Sequence, residues 1–229
     1  MVNQKAHPPK GLVWTTLFFL VILILTGLIV FRHDLPEGIP LNTKGQPTIG
    51  YPKARVHVVV FEEPKCDNCK DFNDKIFPKL KEDFIDTNKI IYTVIPVSFL
   101  PNSMPAAVAL LCVYYTNPLY PNNDLFFTYL NYIYEHQPPE HTNWATLDTL
   151  VAFARNASPA INRAHLKTCM EKEIYRIKIE KNNAYGRKIM DGMLTTPTVY
   201  VNGIKAQNLN YKELKKLIID VLERKGVQQ

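Results

Sequence analysis

The chain has 229 residues, of which 46% are apolar and 21% charged, and it carries a formal net charge of +6. The ordinary apolar share excludes a disordered chain, and four cysteines are too few for a disulfide-stapled mini-protein. Lysines and arginines are interleaved with acidic residues and form no basic patch, so the sequence indicates no nucleic-acid partner.

A block of 21 residues without a charge, at 11–31, is the first predicted element. At about 1.5 Å per residue, a helix of this length spans a hydrocarbon core of roughly 30 Å. The block is long for a cleaved signal peptide and ends in Val30-Phe31-Arg32-His33, which lacks the small residues of a cleavage site. Residues 1–31 are therefore predicted to be an uncleaved membrane anchor, with a cleaved signal as the alternative. Either segment sends the remaining chain across a membrane.

A tether and a strand–helix–strand unit are predicted next. Residues 32–54 are rich in Pro and Gly without apolar periodicity, which is typical of a linker. The β-branched run 55–61 predicts a strand buried on both faces, and 90–97 predicts a second one. Between them, apolar residues at helical spacing predict a helix that is kinked at Pro78. This order predicts a βαβ unit with a parallel strand pair.

Helical signals dominate the next segment, and strand signals return towards the C-terminus. Helices are predicted over 105–115, 125–134, 147–157 and 161–190, the last with one break. Strand 198–201 ends in Asn202-Gly203, a strong hairpin signal, with 204–209 as its partner. An amphipathic helix over 211–225 closes the chain. The expected domains are the anchor at 1–31, the linker at 32–54, an α/β domain made of 55–100 and 191–229, and a helical insertion at 101–190.

Cys66 and Cys69 flank Asp67-Asn68 at the junction from the first strand to the first helix. The free amides and the dipole of a helix start lower the pKa of a thiol there, and the thiolate is the species that attacks a disulfide. A second cysteine one turn later can close or resolve the mixed disulfide. A Cys-x-x-Cys pair on a βαβ unit therefore predicts redox chemistry. Half of a zinc site is the alternative, and it would need further Cys or His partners.

The run Thr195-Thr196-Pro197-Thr198 is the second candidate feature, because a proline that enters a strand cannot donate to the sheet. A cis Thr196–Pro197 bond would turn the chain and expose the backbone of Thr196 as an edge for an extended peptide. A trans proline at a strand start is the alternative and is the commoner arrangement. The dithiol in the same chain favours the cis form, with Thr196 and Pro197 as substrate-binding residues.

The dithiol at 66–69, the Thr-Pro-Thr-Val-Tyr-Val-Asn-Gly run at 196–203 and the helical insertion together resemble the DsbA-like thiol–disulfide oxidoreductases of bacterial cell envelopes. Segments 46–50 and 77–80 resemble the membrane-tethered members of that group. The resemblance covers about residues 46–225. It implies a thioredoxin fold with an inserted all-helical domain, a nucleophilic Cys66, a buried Cys69 and a cis Pro197.

The resemblance implies that the chain forms disulfide bonds in secreted or envelope proteins. A substrate thiolate would attack the Cys66–Cys69 disulfide at Cys66, and a second one would resolve the mixed disulfide. A DsbB-like, quinone-linked membrane protein would reoxidise the dithiol on the periplasmic side of the inner membrane, with no metal or organic cofactor. Two alternatives stay open. One is a disulfide reductase or isomerase on the same fold, and the other is a redox-inert, membrane-tethered module that binds peptides at the Pro197 edge.

Two departures from the pattern of this family concern the redox poise. Many members carry Pro-His between the cysteines, whereas Asp67 here places a carboxylate beside Cys66, which is expected to raise the pKa of that thiol. Members often carry a buried Glu six residues before the first cysteine, but Val60 occupies that position and Glu62 and Glu63 come after it. Both departures predict a weaker oxidant than a Pro-His relative.

Cys112 and Cys169 both fall in the predicted helical insertion. In an oxidising compartment a disulfide between them is expected, and two free buried thiols are the alternative. The bridge would close a loop of about 58 residues and stabilise the fold by roughly 4 kcal/mol in the chain-entropy model.

Overall fold

A computed structural model of the chain describes residues 14–15, 17–23 and 35–224. The chain divides into two compact units, Met1–Pro36 and Glu37–Gln229. In the first unit, residues 14–15 and 17–23 are helical. The predicted anchor at 11–31 lies mostly outside the described residues. Among the helices that are described, none combines the length and the apolar character needed to cross a bilayer.

A five-stranded sheet lies at the centre of the second unit. Its strands are β1 (Thr48–Gly50), β2 (Val56–Glu62), β3 (Ile90–Pro96), β4 (Thr198–Val201) and β5 (Ile204–Lys205). They are arranged in the order β1-β3-β2-β4-β5, in which only β2 and β3 run parallel. The central β2 and β3 are buried along nearly their whole length. Such burial suits their β-branched apolar runs and matches the predicted βαβ unit.

Eight helices of the second unit are described. They are α1 (Asp67–Lys75), α2 (Phe77–Leu80), α3 (Met104–Tyr114), α4 (Asn123–His136), α5 (Leu147–Ala157), α6 (Arg163–Glu171), α7 (Arg176–Ile189) and α8 (Tyr211–Arg224). A π-helical turn, Lys81–Ile85, follows α2. The kink predicted at Pro78 is present as a break at Ile76 between α1 and α2. The break suits Pro78, which has no N–H to continue the hydrogen bonds of α1.

Helices α3 to α7 come between β3 and β4, where the helical insertion is predicted. α3 is the centre of this group, because nine of its 11 residues are buried and it packs against α4, α6 and α7. The long helix predicted for 161–190 breaks once, between Glu171 and Arg176. Cys112 on α3 and Cys169 on α6 are joined by a disulfide.

The tether predicted for residues 32–54 is too long, since part of it belongs to the α/β domain. Thr48–Gly50 pairs antiparallel with β3 as an edge strand. The N–H of Ile39 donates to the carbonyl oxygen of Gly203 at 3.1 Å, so this segment lies along the β4–β5 turn. Three residues are too few to show a strand period, which is why the sequence pattern did not predict β1.

The second strand of the predicted hairpin is also shorter than expected. It ends at Lys205 and not at Leu209. The Asn208 side chain accepts from the N–H of Asn210, and the Asn210 side chain accepts from the N–H of Glu213 in the first turn of α8. These residues therefore cap the last helix and do not extend the sheet. The Asn202-Gly203 turn itself has positive φ at both residues, as a tight hairpin requires.

Candidate active site

The dithiol lies at the end of the buried strand β2, where the chain enters α1. Cys66 is the N-cap residue of α1. Its side chain therefore lies beside the N–H groups of the first helical turn. Both cysteines are free thiols; Cys66 is 7% exposed, whereas Cys69 is fully buried. Cys66 is therefore the less buried of the two.

The two thiols differ strongly in acidity. A hydrogen bond from the Cys69 thiol, helped by the backbone N–H groups of Cys69 and Asn68, lowers the pKa of Cys66 to about 6 against the opposing effect of burial. Burial and the neighbouring Cys66 thiolate raise the pKa of Cys69 well above its ordinary value. At neutral pH the pair is therefore a thiolate at Cys66 beside a thiol at Cys69. Such a pair suits a nucleophile and its resolving partner.

Thr196 and Pro197, which directly precede β4, lie next to Cys66. Their peptide bond is cis, and the Cys66 Sγ lies 3.7 Å from the carbonyl oxygen of Thr196. A groove of about 400 Å³ opens beside them. Its lining includes Asn68, Phe72, Ile76, Thr196, Pro197 and Leu209. The structure thus brings together the predicted dithiol and the predicted proline edge.

Glu62, at the end of β2, points into the protein beneath the dithiol. The hydroxyl groups of Tyr134 and Tyr92 donate to its carboxylate at 3.1 Å and 3.3 Å. Burial raises the pKa of Glu62 to about 7, and the Cys66 thiolate acts in the same direction. Glu62 lies two residues after Val60, so both side chains project to the same face of the strand. This spacing is the signal by which Glu62 could have been predicted as the buried acid.

Glu63 is also fully buried, and its carboxylate has a structural role. It accepts N–H groups from Lys65 at 3.1 Å, Phe99 at 3.2 Å and Leu100 at 3.0 Å. These bonds connect the segment just before Cys66 to the loop after β3. Burial raises the pKa of Glu63, and the backbone donors oppose that rise.

Lys65, directly before Cys66, is only 1% exposed. Its ammonium donates to the carbonyl oxygens of Pro101 at 2.8 Å and Thr142 at 2.9 Å. Lys65 is not among the residues predicted for the site. Both acceptors lie far from it in sequence, so no local pattern could reveal these contacts.

Asp67 and Asn68 lie in the first turn of α1, as the sequence predicted for the residues between the cysteines. The Asp67 carboxylate accepts from Nε2 of Gln137 at 3.2 Å, and its N–H donates to the carboxylate of Glu140 at 3.0 Å. Despite the neighbouring carboxylate of Asp67, the pKa of Cys66 is lowered from its ordinary value. The expected difference from a Pro-His relative stays a prediction.

Glu62→Gln is expected to change how stability depends on pH in the oxidised protein, where neither Cys66 nor Cys69 titrates. Burial is the largest cause of the raised pKa of Glu62, and it is present in the oxidised protein as well. The folded chain therefore binds this proton more tightly than the unfolded chain, and stability is lost as the pH rises above the ordinary value of about 4.5. Between pH 4 and pH 8 the unfolding free energy of the wild-type chain should fall by up to about 3 kcal/mol relative to the Gln variant. Urea unfolding across this range measures the difference.

The matched control is Glu223→Gln, which removes an exposed carboxyl group on α8. Its unfolding free energy should follow the wild-type pH dependence. If Glu62→Gln also runs parallel to the wild type from pH 4 to pH 8, Glu62 does not titrate in this interval.

Comparisons with known proteins agree with this architecture. A family model described as Thioredoxin matches residues 42–220. The disulfide bond formation protein D of Bacillus subtilis (strain 168) is 33% identical over 195 residues, which is 84% of each chain. The crystal structure of Chlamydia trachomatis DsbA has a TM-score of 0.73 at 35% identity, over 82% of this chain and 97% of that chain. Oxidised BdbD from Bacillus subtilis has a TM-score of 0.73 at 34% identity, over 83% and 100%. The predicted thioredoxin fold, with a mixed α/β sheet and many helices, is confirmed.

Proposed function

Since the chain belongs to the thioredoxin family and is a DsbA-like protein disulfide oxidoreductase, we propose that Cys66 and Cys69 carry its reaction. The observation that supports this most is the pairing of Cys66, a slightly exposed thiolate at the start of α1, with the fully buried Cys69 thiol that donates to it. The relatives bear the names of disulfide bond formation proteins, which favours oxidation of substrates over the reductase and peptide-binding alternatives.

The proposed reaction begins with the Cys66–Cys69 disulfide. A substrate thiolate attacks Sγ of Cys66, the bond between the two cysteines breaks, and its electron pair leaves on Cys69. A second substrate thiolate then attacks the substrate sulphur of the mixed disulfide, and Cys66 leaves as a thiolate. The substrate loses two electrons and gains a disulfide, while the dithiol gains both electrons. The lowered pKa of Cys66 favours this last step, because a more acidic thiol is a better leaving group.

Glu62 is the proposed proton donor for the buried Cys69. Cys69 leaves as a thiolate in an apolar environment, where its pKa is raised and a proton is needed. Glu62 interacts electrostatically with Cys69, and its pKa of about 7 allows it to hold a proton near neutral pH. In Glu62→Gln the rate of mixed-disulfide formation should lose its pH dependence near pH 7, and an unchanged pH profile would exclude this role.

The substrate is proposed to bind as an extended peptide along Thr196 and Pro197. The backbone of Thr196 lies beside Cys66, and the adjacent groove offers apolar side chains from α1 together with Leu209. An extended segment beside an exposed backbone edge obtains its affinity from main-chain hydrogen bonds. This mode suits an enzyme that accepts many unfolded chains.

The proposed place of action is the bacterial cell envelope, with the uncharged block 11–31 as a membrane anchor. A DsbB-like membrane protein is the proposed acceptor of the electrons from the reduced dithiol. Support for the anchor comes from the length of the block and from its end, which is a poor cleavage site. Retention of the full-length chain in membranes after an alkaline wash is the expected result, and its release would exclude the anchor.

Mixing the oxidised chain with a reduced, unfolded protein that has two cysteines should transfer one disulfide per molecule. The substrate should lose two thiols while Cys66 and Cys69 gain two, and the Cys112–Cys169 bridge should stay closed. Thiol alkylation followed by mass spectrometry counts the thiols that the substrate loses and those that the dithiol gains. A chain whose dithiol was reduced and alkylated beforehand is the control. If the substrate stays reduced with the oxidised chain, the proposed reaction is wrong.

A further inference from the structure

The loop at residues 137–142, between α4 and α5 of the helical insertion, lies directly on the turn that carries the dithiol. Nε2 of Gln137 donates to the carbonyl oxygen of Lys65 at 3.3 Å and to the carboxylate of Asp67 at 3.2 Å. The buried ammonium of Lys65 donates to the carbonyl oxygen of Thr142 at 2.9 Å. The N–H of Asp67 donates to Oε2 of Glu140 at 3.0 Å. Four hydrogen bonds thus join this loop to the two residues that flank Cys66.

Glu140 occupies part of the anion-stabilising end of α1. The Cys66 thiolate uses the N–H groups of Asn68 and Cys69, while Glu140 uses the N–H of Asp67 in the same turn. The Asp67 nitrogen follows Cys66 directly, and covalent geometry keeps it within about 5 Å of the Cys66 sulphur. The Glu140 carboxylate is therefore within about 8 Å of that sulphur. Two negative charges at this separation repel each other measurably near a protein surface.

We propose that Glu140 is a positioning residue: its negative charge destabilises the Cys66 thiolate and thereby lowers the oxidising power of the dithiol. The helical insertion would then set the redox poise of the active site through one hydrogen bond to the start of α1. Oxidising power follows from how well the reduced, thiolate form is stabilised, so a second anion at the same helix end favours the disulfide. This inference rests on the proposed role of Cys66 as the reactive thiolate.

Other charged or titratable groups lie around the two cysteines, and they come from several elements. They are Lys65 in the preceding turn, Asp67 and Cys69 on α1, Glu62 and Glu63 at the end of β2, Tyr92 on β3 and Tyr134 on α4. Lys65, Glu62, Glu63 and Cys69 are buried, so their substitution would leave unpaired groups inside the protein. Glu140 is only partly buried. A Gln at this position has no charge but still offers an amide oxygen that can accept from the N–H of Asp67. A Glu140→Gln variant therefore isolates the effect of charge.

The test compares the full-length wild-type chain with Glu140→Gln and Glu140→Ala in two measurements. Titration of thiolate absorbance should show the pKa of Cys66 lowered by about 0.5 to 1.5 in both variants. Equilibration with glutathione buffers at pH 7 should show a shift of about 3-fold to 30-fold towards the reduced dithiol. The control is Glu171→Gln, which removes an exposed carboxylate on α6 and should change neither value.

The outcomes separate this inference from the proposed function. If the wild-type dithiol does not exchange with glutathione at all, the proposed function is wrong. If the wild-type chain exchanges but both Glu140 variants keep its Cys66 pKa and its glutathione equilibrium, the role of Glu140 is wrong. A raised pKa in Glu140→Gln would likewise overturn it, because removal of a repelling charge can only favour the thiolate.

Discussion

Cys66→Ser is expected to abolish thiol–disulfide exchange, whereas Cys69→Ser should accumulate mixed disulfides with substrate. The reason is the asymmetry of the pair: Cys66 lies at the helix start with a pKa of about 6, and Cys69 is buried with a raised pKa. Loss of the nucleophile should reduce the exchange rate by roughly 1,000-fold or more. Without Cys69, the Cys66 thiolate can still attack a disulfide of an oxidised substrate and displace one substrate thiolate, but no internal thiol is left to attack Cys66 and release the mixed disulfide.

Initial rates of disulfide exchange measure the first variant, and non-reducing electrophoresis with mass spectrometry identifies the adducts of the second. Each variant should keep the wild-type far-ultraviolet circular dichroism, since Ser is close to Cys in size. A Cys66→Ser protein that keeps most of its exchange activity would show that Cys66 is not the nucleophile. Adducts that map to Cys112 or Cys169 would contradict the separation of the two cysteine pairs.

Joint replacement of Cys112 and Cys169 by Ala should lower the free energy of unfolding by roughly 4 kcal/mol and leave exchange activity close to wild type. The two positions are 57 residues apart in sequence, so their bridge removes much of the freedom of the unfolded chain. Both side chains are buried on α3 and α6 of the insertion, whereas the dithiol lies at the start of α1. Their replacement therefore weakens the insertion without removing a group from the reactive pair.

Urea unfolding and initial exchange rates of the double variant test both parts of this prediction. Cys66 and Cys69 must be kept in one redox state throughout, because their disulfide changes stability as well. Thiol counting on the denatured, unreduced wild-type chain is the control and should find neither Cys112 nor Cys169 free. An unchanged unfolding midpoint would show that the bridge contributes little to stability, and a lost activity would show that the insertion's fold controls the dithiol.

Features that depend on neighbouring residues could be predicted from the sequence. The strand period of β2, the helical spacing after it and the Cys-x-x-Cys pair placed the dithiol at a strand-to-helix junction. The break near Pro78 and the turn at Asn202-Gly203 follow from single residues with restricted or permissive backbones, and the structure has both. Residues 48–50 have no such local signal, because so short a strand exists only through its pairing with β3.

The position of the proposed reactive thiol could be predicted from the sequence, since a cysteine at a helix start obtains its acidity from the helix that follows. The other groups around that thiol are brought there by tertiary contacts. Glu62 faces inwards because Tyr134 on α4 and Tyr92 on β3 meet its carboxylate there. Glu140 reaches the first amide of α1 from a loop that is 73 residues away along the chain. Contacts of this kind depend on how the insertion packs against the α/β domain, and no local pattern encodes that packing.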